Sequence, residues 1–119
     1  MMGPVSFPFT QLVGAGAVYT PLVGWQYEYP DQDCLAEVII NATAVGLVAA
    51  IYSGGNTIQQ ESPIQAGGVA GVIPNVLNGT VVSGKAAKSN RLAVNVRNPT
   101  GGGQTVNGII TLIPGRGRR

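Results

Sequence analysis

The residues Cys34 to Thr43, CLAEVIINAT, decide the fold. Small and apolar side chains occupy every second position of this stretch: Ala36, Val38, Ile40 and Ala42. The positions between them carry a different set: Leu35, Glu37, Ile39 and Asn41. Because successive side chains of a β-strand point to opposite faces, this alternation predicts a strand with one face in a core.

The segment from Arg91 to Asn98 has the same pattern, with apolar residues on one side at Leu92, Val94 and Val96. Glycine, proline and asparagine separate further short apolar runs along the chain. We count about seven to nine short strands at a spacing of about 8–12 residues, which is typical of an all-β sandwich or barrel. A chain of 119 residues is long enough for one such domain.

Composition divides the chain into three parts. Residues 1–16 are uncharged and rich in glycine and proline, and Pro4 and Pro8 disfavour a central strand. We therefore expect an extended N-terminal arm there, with at most one edge strand. Residues 17–114 are predicted to form the β-sandwich domain, in which residues 17–29 give two short strands with a bend. Residues 115–119 are predicted to form a short basic tail.

The residue types exclude most catalytic chemistry. Histidine is absent and there is a single cysteine, Cys34, so Ser-His-Asp and Cys-His nucleophile systems and cysteine- or histidine-rich zinc sites are excluded. The segment from Gly79 to Ala86, GTVVSGKA, resembles a phosphate-binding loop, but Ala86 replaces the hydroxyl residue that binds magnesium. We expect no enzyme activity, no catalytic residue, no cofactor and no metal site. Cys34 is predicted to be a small buried hydrophobic residue.

Three aromatic residues alternate within five positions: Trp25, Tyr27 and Tyr29. Placed on one side of a strand, they would belong to the sandwich core or to a contact between subunits. The same arrangement could also stack on a sugar or a base. Both interpretations remain open from the sequence.

The charges follow an order along the chain, with all acidic residues before the first base, Lys85. The densest basic cluster lies in the tail, at Arg116, Arg118 and Arg119. A glycine-arginine segment can contact phosphate backbones without reading a sequence, or it can pair with acids of a neighbouring subunit. A solvated tail end is the third interpretation.

The low charge content predicts that this protein is covered by others. Charged residues are 10% of the chain, where an ordinary soluble domain has about 25%. A sandwich of this size exposes about half of its residues, so most of the exterior must be neutral. Such a surface keeps free monomers apart poorly and is suited to burial against copies or partners.

Three segments resemble small jelly-roll structural proteins of bacteriophage particles: residues 62–68, residues 91–98 and residues 105–112. The resemblance implies a single-domain, jelly-roll-like β-sandwich and a capsid, cement or decoration subunit. It further implies a virion location after synthesis in the host cytoplasm, with copies of the chain and other capsid proteins as partners. No catalytic residue is carried over from this family.

A second functional hypothesis is a carbohydrate-binding or adhesive β-sandwich module, with Trp25, Tyr27 and Tyr29 as its stacking face. We expect neither a signal peptide nor a membrane span. The first base comes late, at Lys85, and the apolar run at residues 38–52 is shorter than the roughly 20 residues of a spanning helix. We expect no small-molecule substrate.

Overall fold

The structure, a computed structural model, describes residues 5–30, 32–75 and 79–114. These residues form strands and connecting loops, and no helix occurs among them. The strands are β1 (Val5–Val13), β2 (Val18–Tyr19), β3 (Cys34–Ala42), β4 (Val48–Ser53), β5 (Asn56–Pro63), β6 (Thr80–Ala86), β7 (Leu92–Arg97) and β8 (Gln104–Pro114). The predicted all-β fold is therefore confirmed.

The strands form two four-stranded sheets, with the orders β1-β8-β3-β6 and β2-β7-β4-β5. Every strand pair in both sheets is antiparallel. Except for the β4–β5 hairpin, consecutive strands thus lie in different sheets, which is the order of an eight-stranded jelly roll. The architecture is a β-sandwich, and its strand order is that of the jelly roll.

The core lies between the two sheets and follows the alternation read from the sequence. In β3, the even-numbered residues from Cys34 to Ala42 are buried, and in β7 Leu92, Val94 and Val96 are completely buried. β8 pairs with β3 in the sheet that faces β7, and it contributes Val106, Ile110 and Leu112 to the core. Burying one such aliphatic side chain stabilises the fold by about 1.5–3 kcal/mol. Cys34 is fully buried and forms no disulfide, and its Sγ donates to the Gln32 carbonyl at 3.2 Å.

Gly108 lets β1 approach β8 closely. It faces Phe9 across the β1–β8 pair, and a Cβ at Gly108 would overlap the Phe9 ring. The pairing of β8 passes through Gly108 without a register shift on either side. Of the two explanations for a glycine inside this strand, close packing applies and a bulge does not.

Two features differ from the sequence prediction. Residues 5–13, expected within an arm outside the sandwich, form β1, which buries Phe9 and Val13 in the core. The expected edge strand is thus present, but it is part of the domain. Residues 17–29 contain a single two-residue strand, because the chain turns repeatedly between Pro21 and Tyr29. The predicted basic tail, residues 115–119, lies outside the described residues.

Candidate interaction surfaces

The loops gather at two opposite ends of the sandwich. Loops at residues 14–17, 43–47, 64–75 and 98–103 meet at one end, which we call the apolar end and which includes Leu12. Loops at residues 20–30, 32–33, 54–55 and 87–91 meet at the other end, which we call the charged end. The strand registers place Val13 opposite Gln104 at the apolar end and Cys34 opposite Ala86 at the charged end.

The loops of the apolar end expose aliphatic side chains and contain no charged residue, and the ion pair of Arg97 with Glu61 adjoins them at the ends of β7 and β5. Leu12, Val45 and Val69 are 63%, 80% and 66% exposed, and Val72 and Ile73 are 52% and 53% exposed. The sequence has no acidic or basic residue in the ranges that build this end: 1–27, 38–60, 62–84 and 98–115. Larger exposed apolar patches are typical of contact sites for proteins, membranes or ligands.

The buried side chain of Asn98 fixes two loops of the apolar end. Its Nδ2 donates to the carbonyl oxygens of Val13 at 2.9 Å and Gly102 at 2.8 Å. Its Oδ1 accepts from the backbone N–H of Thr100 at 2.9 Å and from the Thr100 hydroxyl at 2.5 Å. All donor and acceptor positions of this amide are used inside the protein, so Asn98 is a structural residue.

Three polar side chains in register hold the β5–β6 loop against the sheet. Thr10, Asn107 and Asn41 lie side by side on β1, β8 and β3. Asn107 Nδ2 donates to Asn41 Oδ1 and to the Val69 carbonyl, each at 3.1 Å. Asn107 Oδ1 accepts from the Thr10 hydroxyl at 2.7 Å and from the Gly71 N–H at 2.9 Å. The loop is therefore anchored by a second saturated amide.

A shallow groove of about 280 Å³ lies beside this anchored loop. It is lined by Pro8, Phe9, Thr10, Gly71, Val72, Ile73 and Asn107. Its polar lining is the Thr10–Asn107 pair, whose hydrogen bonds are made within the protein. The groove therefore offers mainly apolar contact to a partner.

One buried hydrogen-bond acceptor at the apolar end has no partner among the described residues. Gln104 Nε2 donates to the Val45 carbonyl at 2.9 Å, which ties the loop at residues 43–47 to β8. Gln104 Oε1 is buried and has no hydrogen-bond partner among the described residues. A buried acceptor without a partner is unfavourable, and an incoming donor would satisfy it.

Ion pairs and charge-assisted hydrogen bonds hold the charged end. Arg91 Nε donates to Glu28 Oε2 at 2.6 Å, and the Gly24 N–H donates to Glu28 Oε1 at 3.1 Å. These two hydrogen bonds, that of Arg91 first, hold the pKa of the Glu28 carboxyl below its usual value. Asp33 Oδ1 accepts from the Lys88 N–H at 2.8 Å, and Asp33 Oδ2 lies 3.8 Å from Lys85 Nζ.

A further exposed pair lies on the outer face of the β2-β7-β4-β5 sheet. Arg97 donates two hydrogen bonds to the Glu61 carboxylate, at 2.8 Å and 2.6 Å. The hydrogen bonds lower the pKa of Glu61 and raise that of Arg97. This pair and that of Glu28 with Arg91 each join an acid from residues 1–61 to a base from residues 85–119.

The three aromatic residues selected from the sequence lie in the loop between β2 and β3, and not on a strand. Trp25 stacks on Phe7 with ring centroids 5.1 Å apart, and Tyr27 contacts Trp25 edge to face at 5.5 Å. Trp25 and Tyr27 are partly buried against the core, whereas Tyr29 is 57% exposed. The fold does not bring the three rings together as one exposed stacking face.

The other candidate residues, Arg116, Arg118 and Arg119, lie outside the described residues. Their contact with nucleic acid or a neighbouring subunit stays a prediction. In the part of the chain that the structure describes, no three His, Cys, Asp or Glu side chains are close enough to hold a metal ion. No helix there is long and apolar enough to cross a membrane.

Sequence reasoning did not find the apolar end. Its exposed residues come from β1 and from two loops that are distant in sequence, so no local pattern groups them. The signal that could have found them is the long uncharged stretches, since every loop of this end falls within one.

Comparison with known proteins identifies no family and gives a weak structural likeness. No protein-family model matches the chain, and no curated protein is similar to it. Among solved structures, the chain is similar to the C-terminal CBM6 of LamC, a marine laminarinase from Zobellia galactanivorans. The match has a TM-score of 0.45 and 13% identity, and it covers 92% of this chain and 99% of that one. At this level, the likeness carries no argument about function.

Proposed function

We propose that this chain is a structural subunit of a virus particle, a capsid, cement or decoration protein, that assembles through its neutral surfaces. Eight-stranded jelly rolls serve in viral capsids and in lectins, among other proteins. The fold by itself therefore leaves a shell subunit and a sugar-binding module as the main candidates, and the surface must distinguish them.

The observation that carries the proposal is the apolar end. Four loops from both sheets meet there without a charged residue and expose Leu12, Val45, Val69, Val72 and Ile73. The saturated amides of Asn98 and Asn107 hold these loops in fixed positions. A rigid neutral surface loses little conformational entropy when it docks, which favours a protein partner.

The glycan-binding alternative is supported by one feature, the exposed ring of Tyr29 on the loop that also carries Trp25. A sugar platform needs an open aromatic face with free polar groups near it. The Trp25 ring is instead stacked on Phe7, and the amides of the groove beside β1 are saturated within the protein. These contacts favour the assembly role over sugar binding.

The experiment measures the size of the purified protein over a wide concentration range by light scattering, with electron microscopy of the products. We expect the wild type to form oligomers or particles at high concentration. Val45→Glu and Val69→Glu, each introducing a charge at a fully accessible position, should shift the onset of assembly to at least about tenfold higher concentration.

The matched control is Lys88→Glu, which changes an exposed residue of the charged end and should leave assembly intact. A wild-type protein that stays monomeric at millimolar concentration, with and without candidate shell partners, would overturn the proposal. Quenching of Trp25 fluorescence by a glycan in that monomer would favour the carbohydrate-binding alternative.

A further inference from the structure

The four sheet edges of the sandwich differ in how they resist pairing with another strand. β1 contains Pro8, which lacks the N–H that a ladder needs. β2 has only two residues, and β5 contains two register shifts against β4. Proline, short length and bulges are the devices by which proteins protect an edge from edge-to-edge association.

β6 has none of these three features. It runs for seven residues, from Thr80 to Ala86, and pairs with β3 over its whole length without a register shift. Val81, Ser83 and Lys85 are exposed on its outward face. The one charge of the strand, on Lys85, lies 3.8 Å from Asp33. Among the described residues, this edge is guarded only by that lysine and by the Gln65 N–H, which donates to the Thr80 hydroxyl at 2.9 Å at one end of the strand. The rest of the edge is a template for a further strand.

We propose that β6 pairs antiparallel with β6 of a second copy, around a two-fold axis that passes beside Ser83. The two β1-β8-β3-β6 sheets would then join into one eight-stranded sheet. This inference deepens the proposed assembly role by naming one partner surface, and it rests on that role only in requiring that copies of the chain meet.

The side chains of β6 fit this register because each pair combines a larger residue with a smaller or more flexible one. Ser83 faces its own copy on the axis. The pairs on either side of the axis are Val82 with Gly84, Val81 with Lys85, and Thr80 with Ala86. All seven residues are paired, which gives about six to eight interchain hydrogen bonds.

Charge favours a second copy in the antiparallel direction. In an in-register parallel pair, Lys85 would lie beside Lys85 of the second copy, and like charges directly opposite each other destabilise a sheet. In the antiparallel pair, Lys85 lies opposite Val81 instead, and its methylene groups can cover that valine while the ammonium group stays in water.

The outer face of the sheet adds an independent reason. Pro8, Ile109, Ile39 and Val81 are paired in register and form an apolar row across all four strands. The row ends at the edge with Val81, which is 44% exposed. Pairing of β6 continues it onto Lys85 and Leu35 of the second copy, because Leu35 is the β3 partner of Lys85. The exposed end of the row is thereby covered.

The test is disulfide trapping with Ser83→Cys. Residues directly opposite in an antiparallel pair have Cα atoms about 4.5–5.5 Å apart, within the range of a disulfide. The matched control is Ser6→Cys. Ser6 is joined to Ser83 across the outer face through Thr111 and Glu37, and it lies on the opposite edge of the sheet. The native Cys34 is fully buried in both variants. We expect Ser83→Cys to form covalent dimers at least about tenfold faster than Ser6→Cys.

Two variants with opposite charges at position 81, each made in the Ser83→Cys protein, test the register. Val81→Glu places an acid opposite Lys85 of the second copy, and Val81→Lys places a base there. We expect cross-linking to be about threefold faster or more for Val81→Glu than for Val81→Lys, with the difference reduced by salt. Circular dichroism of both variants should match the parent, because the position is partly exposed.

Equal cross-linking of Ser83→Cys and Ser6→Cys, or equal rates for the two charge variants, would overturn the β6 pairing. If the protein still forms oligomers in that case, the assembly role stands and only this partner surface is wrong. If Ser83→Cys cross-links at the expected rate but no higher assembly occurs under any condition, the β6 dimer stands and the virion role fails.

Discussion

The two ends of the sandwich are held by different forces. The apolar end is fixed by buried amides that hydrogen-bond to backbone, as in Asn98 and Asn107. The charged end is fixed by exposed ion pairs, as between Glu28 and Arg91. Water and salt compete with the second kind of contact and much less with the first. One end is thus rigid and free of charge, and the other is adjustable by pH and ionic strength.

This difference indicates which end of the sandwich can be buried against a partner. A surface without charges has no long-range field, so the apolar end can be buried without leaving an uncompensated ion. The charged end stays favourable in water, because the bases Arg91 and Lys85 remain about half exposed while they pair with Glu28 and Asp33. This division along one axis of the molecule suits a subunit that meets its neighbours at one end and solvent or a charged partner at the other.

The largest expected effect comes from removing the amide that holds the apolar end. Asn98→Ala leaves the carbonyls of Val13 and Gly102 and the N–H of Thr100 without their partner in a buried site. We expect a loss of about 3 kcal/mol in the free energy of unfolding, measured by urea denaturation. Asn95→Ala, a partly exposed position on the preceding strand β7, is the control and should cost less than about 1 kcal/mol. Equal costs for the two variants would contradict the assignment of Asn98.

A smaller effect is expected from the anchor of the β5–β6 loop. Asn107→Ala removes the hydrogen bonds to Val69 and Gly71, but the freed loop can take up water. We expect a cost of about 2 kcal/mol and faster proteolysis within residues 64–75. Thr111→Ala, four residues along β8 on the same face, should leave the cleavage rate unchanged. Protection of the loop in Asn107→Ala would show that another contact holds it.

The smallest effect is the pH response of the charged end. The folded protein lowers the pKa of Glu28 through Arg91 and Gly24, so this stabilisation is present above the usual glutamate pKa near 4.5 and is lost as the pH falls through the folded value. Glu28→Gln should therefore reduce stability slightly at pH 7 and lose this effect in acid, once the pH lies below the lowered pKa of the folded state. Thermal unfolding at both pH values measures this; a difference between variant and parent that persists in acid would contradict it.

Together these variants test which end of the sandwich is the more stable. If acid loosens the loop at residues 20–30 before the loops of the apolar end, hydrogen exchange will show the order directly. A reversal of that order would mean that the ion pairs, and not the buried amides, carry the greater stability.

Much of the fold follows from local pattern. The alternation of β3 and β7 placed each side chain on the correct face, because a strand has a period of two residues and one face must leave water. A glycine inside a strand, such as Gly108, indicates either a bulge or close packing, and only the structure shows that close packing applies. The aromatic segment from Trp25 to Tyr29 was misplaced, because alternation over five residues occurs equally in a loop whose rings pack back on Phe7.

The membership of β1 in the sandwich was also not predictable in full. Pro8 and the surrounding glycines favour an arm, but Phe9 finds a site over Gly108 on a strand about one hundred residues away in sequence. Such a contact depends on the side chain that is missing at Gly108, and nothing near Phe9 encodes it. The candidate surfaces were hidden for the same reason, since Leu12, Val45 and Val69 come to the same end of the sandwich only after folding.

The sequence by itself determined the all-β class, the inner faces of the long strands, the absence of histidine chemistry and the scarcity of charge. Those properties depend on residue type and on spacing along one strand. The tertiary structure alone decided the jelly-roll order, the separation of a charged end from an uncharged one, and the unprotected edge at β6. Backbone hydrogen bonds are the same for every residue, so a strand does not specify its partner locally. Only the simultaneous burial of both inner faces selects which strands pair and which loops meet.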